Sequence, residues 1–126
     1  MLRWRSERGA AAVEFALVLP ILLTLVLGTI EFGRAYNAQI SVTHAAREAA
    51  RTMAVQGAQG PARTAARTAA ASLDPALTDS RIAITPATCR PGATATVTID
   101  YSMPSLTGFF GKDIDVTGKA AMRCGG

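Results

Sequence analysis

A chain of 126 residues with 49% hydrophobic side chains and a formal charge of +4 has room for one small domain and one membrane segment. A large core is excluded, because little Leu, Ile or Phe remains once residues 10–30 are set aside. The basic balance does not point to nucleic acid. Arg3, Arg5 and Arg8 against Glu7 place part of it before an apolar run, and the other basic residues are scattered without aromatic interleaving.

Ala10 to Ile30 is an apolar run close to the ~20 residues that cross a bilayer as helix. Three arginines precede it, and Glu31 and Arg34 follow it. The positive-inside tendency predicts a cytoplasmic N-terminus and an exported C-terminal bulk. A cleaved secretory signal is the competing reading. It fits less well, because the run exceeds a usual h-region and no Ala-x-Ala site follows. Glu14 lies near the start of the run, which holds no Lys, Arg or His. A carboxylate near the centre of hydrocarbon costs roughly 2.5–3.5 kcal/mol on insertion scales, so its partner is expected outside the chain or from a charge made by processing. Solvation at headgroup level is the other placement. Pro20 removes a backbone donor and crowds the Ala16 carbonyl, so a kink or local loosening is expected. Gly28 permits close helix approach, but no Gly-x-x-x-Gly pattern accompanies it.

Glu31 to Val55 continues as helix. Phe32, Ala35, Tyr36, Ile40, Ala46, Ala50 and Met53 recur at three- and four-residue steps and predict one apolar face. Arg34, Asn37, Gln39, Ser41 and Arg47 form a polar stripe. His44 with Glu48, and Glu48 with Arg51, are spaced to pair on the surface. Val13 to Val55 as one helix is about 65 Å long, and its apolar face needs a domain to cover it.

Gly57-Ala58-Gln59-Gly60-Pro61 breaks the helix, and a second is expected over Ala62–Leu73, with Arg63 and Arg67 outward. Asp74-Pro75 stops it. Arg81–Thr85, Ala95–Tyr101 and Lys112–Met122 alternate and read as strands with a solvated face. Pro91-Gly92 marks a turn, and Ser102–Gly111 a longer connection. The fold class is α+β: a long N-terminal helix running from the membrane into the exported region, a second short helix, and a small antiparallel β-sheet packed on the first.

Cys89 precedes the second strand and Cys124 ends the last. In an exported region a disulfide between them is expected, stabilising by roughly 4 kcal/mol in the chain-entropy model. Zinc is poorly supported, because the single His is His44. No nucleophile–base pair has a recognisable spacing, so neither an enzyme, a cofactor nor a small-molecule substrate is expected. Asp113, Asp115 and Asp100 read as a solvated strand face rather than a cation site. Phe109 and Phe110 are either partner contacts or core.

Arg8-Gly9, then Ala10-Ala11-Ala12-Val13-Glu14-Phe15-Ala16-Leu17-Val18-Leu19-Pro20, then Glu31-Phe32-Gly33-Arg34 and Ala45-Ala46-Arg47-Glu48-Ala49-Ala50-Arg51 resemble the TadE-like proteins. These are minor pseudopilins of the Tad (tight adherence, Flp-type) pilus system. The resemblance covers the first half closely and the β-rich end only in texture. It implies cleavage between Gly9 and Ala10 by a membrane-embedded prepilin peptidase, which frees the leader 1–9 and gives Ala10 a new α-amino group. Glu14 would then face a neighbour's N-terminal ammonium, the two charges offsetting each other's desolvation. Phe15 follows the acid where the major pilin typically has Tyr, which with the exported domain favours a minor subunit.

The implied organisation is leader 1–9, transmembrane helix 10–30, helix extension 31–56 and exported α+β domain 57–126. The implied setting is the bacterial inner membrane, with the C-terminus periplasmic. The implied partners are the peptidase, other pilin and pseudopilin subunits, and the Tad assembly machinery. Two alternatives stay open: an unprocessed single-pass anchor carrying an envelope binding module, and a domain freed by signal peptidase.

Overall fold

A computed structural model describes residues 2–108 and 111–125, with side chains described from Glu7 onward. Phe109 and Phe110 lie outside the described residues. Helix α1 spans Leu2–Gln56, 55 residues, or about 80 Å at ~1.5 Å per residue. It continues through Pro20. Within the apolar stretch the Thr24 and Thr29 hydroxyls each donate to the carbonyl four residues back, Pro20 and Leu25, both at 2.8 Å. That hides two polar groups where no water would satisfy them. Gly57 ends the helix at φ 72°, a left-handed cap that a side chain would strain.

The chain reverses at once into α2, Gln59–Ala69. This helix starts and stops earlier than the expected Ala62–Leu73. Gly60 and Pro61 fit its first turn, where a missing N–H costs nothing. It ends so that Leu73 and Leu77 can fold into the core, where both are buried. A short 3-10 turn, Asp79–Arg81, leads to strands β1 (Ile82–Thr85), β2 (Thr94–Pro104) and β3 (Asp113–Arg123). The sheet is antiparallel in the order β1-β2-β3, with Ile84 opposite Val97 and Ile99 opposite Gly118. Strand β2 runs three residues beyond the expected Tyr101, so the connection shrinks to residues 105–112.

Helix α1 lies on the inner face of the sheet. The face it buries agrees with the expected one at Ala46, Ala50 and Met53 and departs from it nearer the apolar run. Ala38, Val42, Ala45, Ala46, Ala49, Ala50 and Met53 are buried, whereas Phe32, Tyr36 and Ile40 are 68%, 60% and 52% exposed. Hydropathy favours the large residues, but close approach favours the small ones. Ala62, Ala66 and Ala70 of α2 are buried too, so the two helices meet through methyl groups. On the sheet side the approach is tighter still. A Cβ at Gly118 would lie 2.6 Å from the carbonyl oxygen of Val42, so this position of β3 tolerates only glycine without a backbone shift.

Both sheet edges are occupied by side chains. Arg63, expected to point outward, donates to the carbonyls of Ile82 at 2.7 Å and Asp79 at 2.9 Å. Gln59 donates to the carbonyl of Ile84 at 2.9 Å. On the opposite edge Gln39 of α1 donates to the carbonyl of Thr117 at 2.8 Å. Unpaired edge groups invite another strand, and here helix side chains answer them. Arg67 does face outward, in an exposed ion pair with Asp79 at 3.3 Å. Cys89 and Cys124 are joined, with their Cα atoms 5.6 Å apart. The Cys124 N–H donates to Ala93 and that of Gly125 to Ala54, which ties the end of the sheet to the end of α1.

Three substitutions test these contacts by thermal melting in detergent. Gly118→Ala should destabilise by about 1–3 kcal/mol, the cost of overpacking against backbone. Gly60→Ala, into open space on a helix, should be neutral or stabilising by up to about 1 kcal/mol. Arg63→Ala should cost about 1.5–3 kcal/mol, the range for hydrogen bonds from a charged donor.

Candidate functional site

Helix α1 carries two acids at opposite ends of its apolar stretch, and their surroundings differ completely. Glu14 sits among Ala10, Ala11, Leu17 and Val18 at helical neighbour positions, so no residue one turn away can pair with it. Its side chain is exposed, and no hydrogen bond or ion pair reaches it among the described residues. Phe15 beside it is 67% exposed. Gly9 and Ala10 are ordinary exposed helix positions. A Cβ at Gly9 would meet nothing within 4 Å. The fold therefore gives no reason for glycine there, although glycine inside a helix costs about 1 kcal/mol relative to alanine.

The stretch around these residues has the character of a membrane segment. Among the described residues this is the one helix long and apolar enough to cross a membrane, with a window of mean hydropathy 2.5 that the rest of the protein leaves uncovered. Val13, Leu17, Ile21, Leu25 and Ile30 all stand exposed. In water so continuous an apolar surface is a liability. Lipid resolves it.

Glu31, one residue past the run, has no exposed surface. Its carboxylate accepts hydrogen bonds from the hydroxyls of Ser105 and Thr107. It also accepts the backbone N–H of Leu106 at 2.9 Å. Three residues on, the Arg34 guanidinium reaches the carbonyl of Pro104 at 3.5 Å. The Glu31–Arg34 motif thus grips the exit of β2 from both signs of charge. The loop is closed by the Ser105 N–H donating to Lys112 at 3.1 Å and the Gly108 N–H to the Ser105 hydroxyl at 2.9 Å. The Ser105 hydroxyl, then that of Thr107, holds the Glu31 carboxyl below the usual carboxylate range. Burial opposes them, and the Leu106 and Thr107 amides add to the lowering. Sequence reading missed this grip. Its partners lie more than seventy residues away, and no local spacing signals it.

Other expected groupings do not converge. The His44–Glu48 and Glu48–Arg51 pairs do not close; the ion pair found among the described residues is Arg67–Asp79. His44 and Glu48 instead line an open groove between α1 and α2, about 790 Å³, with Thr52, Gln56 and Thr64. Asp113 and Asp115 are exposed on the outer sheet face, and Asp100 accepts a hydrogen bond from Thr117 at 3.0 Å. No cluster of His, Cys, Asp or Glu able to hold a metal occurs among the described residues. Tyr101 is buried and donates to the carbonyl of Pro75 at 2.7 Å. Burial, with the nearby Asp74 charge, pushes its phenol pKa up.

Residues 9–51 match the family model described as TadE-like protein. Over that segment the chain is similar to the TadE-like proteins. No curated protein and no solved structure matches it. The TadE-like segment begins at Gly9, takes in Glu14 and Phe15, and contains the Glu31–Arg34 grip and most of the alanine face of α1.

The Glu31 grip has a definite pH signature. The folded pKa is lowered, below an unfolded value of about 4.3. Its stabilising contribution is complete above that unfolded value and is lost as the pH falls through the folded pKa. Melting midpoints measured from neutral to acid pH should drop in this window. Glu31→Gln should lower the neutral-pH midpoint and flatten the acid dependence.

Proposed function

We propose that this chain is a minor pseudopilin-like subunit for assembly of a Tad/Flp-type pilus, trimmed by a prepilin peptidase between Gly9 and Ala10. The observation that carries the reading is Glu14, an acid within apolar helix that has no partner among the described residues and lies inside the segment similar to TadE-like proteins. Cleavage after Gly9 would put an ammonium on Ala10, four residues before the acid. In an array of parallel helices, an axial offset of about one turn sets the ammonium of one copy beside the carboxylate of the next. Paired in this way, each charge relieves the desolvation cost of the other. Phe15, exposed beside the acid, adds an apolar contact at the same level.

The glycine fits the same scheme. It has no steric role in the fold, and a residue without a side chain at the scissile position suits a confined protease site. The arginines before the run favour a cytoplasmic N-terminus and an exported domain, the compartment in which the Cys89–Cys124 disulfide persists.

Intact-mass measurement of the protein expressed beside a prepilin peptidase tests the reading. The expected product begins at Ala10, and Gly9→Leu should keep residues 1–9. Glu14→Gln should still be trimmed but should no longer co-assemble with pilin subunits. An untrimmed native protein in cells that trim other prepilins overturns the proposal and leaves a single-pass anchored envelope module in its place.

A further inference from the structure

The grip on Glu31 fixes the height of the β2–β3 connection above the apolar helix. Helical side chains lean toward the helix N-terminus, which here is the apolar end. The Glu31 carboxylate is therefore carried back toward the last apolar residues, and the Leu106 amide follows it to 2.9 Å. Leu106 itself turns away from the protein and is 62% exposed. At the same level, on the uncovered side of α1, Phe32 and Tyr36 are 68% and 60% exposed, with ring centroids 6.4 Å apart. Three large apolar side chains thus stand free within about two helical turns of Ile30, where the apolar run ends.

We propose that the Ser105–Gly108 segment and the Phe32–Tyr36 pair dock on the lipid interface where α1 leaves the bilayer, with Leu106 inserted. The inference rests on reading residues 10–30 as membrane-spanning. Under that reading the occupant is set by position: whatever surrounds Ile30 also borders Leu106. Aromatic side chains at the ends of a span sit at headgroup level, ring buried and polar edge wet, and Tyr36 has both parts. The charges nearby are mixed. Lys112 is offset by Asp113 and Asp115, all exposed, so the attraction is apolar insertion rather than recognition of anionic headgroups. Glu31 acts as a positioning residue that keeps the loop down. Docking at a second point would also restrain rotation and tilt of the domain about the helix.

The test uses full-length protein reconstituted in phosphatidylcholine vesicles that carry bromine at shallow acyl positions. Trp4 is the single tryptophan, so a Trp4→Phe background is silent. In it, Leu106→Trp should emit at shorter wavelength than exposed indole and lose most of its emission to the brominated lipid. Glu31→Gln in the same chain should restore most of that emission. Leu23→Trp, in the middle of the apolar run, reports the span separately. Quenching at Leu23 without quenching at Leu106 overturns the docking proposal and leaves the span intact. No quenching at either position overturns both. A short-wavelength Leu106→Trp emission that bromine does not quench puts the loop against protein, such as a second copy, and also overturns the proposal.

Discussion

Val42 on α1 and Gly118 on β3 meet with backbone against side-chain space, closer than any Cβ would allow. Around that contact the helix presents alanine, and the sheet settles on it at short range. Small residues give up apolar area per side chain but let many elements share one axis. The result is a thin domain built directly on the upper half of a 55-residue helix. No hinge separates anchor from domain, so whatever fixes the helix also fixes the sheet.

The same helix solves the problem of a carboxylate in two ways. Glu31 is buried and gathers its donors from the chain itself: Ser105, Leu106 and Thr107. Glu14 has apolar neighbours above and below and finds none. A buried charge with complete hydrogen bonding belongs to the fold. An acid in apolar surroundings is costly unless a partner or water reaches it, and the fold supplies Glu14 with no such partner among the described residues. The contrast, on one helix and between chemically identical groups, sets the acid that holds the β2–β3 connection apart from the acid that the domain does not use.

Much of this was legible in the sequence. Periodicity and the glycine at 57 gave the long helix and its end, and alternation gave three strands within a few residues of their observed positions. The helix face was legible at Ala46, Ala50 and Met53 but misread nearer the apolar run, because large apolar residues dominate a hydropathy pattern, whereas contact with β3 and α2 selects for size. Phe32, Tyr36 and Ile40 therefore stand outside, and Ala38, Ala45 and Ala49 inside. Arg63 was misread because an arginine on a short helix is usually solvated; its turn toward β1 depends on an edge that exists only after folding. The Glu31 grip was invisible for the same reason. It joins residues that only tertiary structure brings together.

The occupied sheet edges limit how copies of this chain can associate. Arg63 and Gln59 hold the carbonyls of Ile82 and Ile84 on one edge, and Gln39 holds that of Thr117 on the other. A strand arriving on β1 would first have to displace both side chains from the carbonyls they hold. Two side chains from one short helix thus do for β1 what a further strand does in a larger sheet.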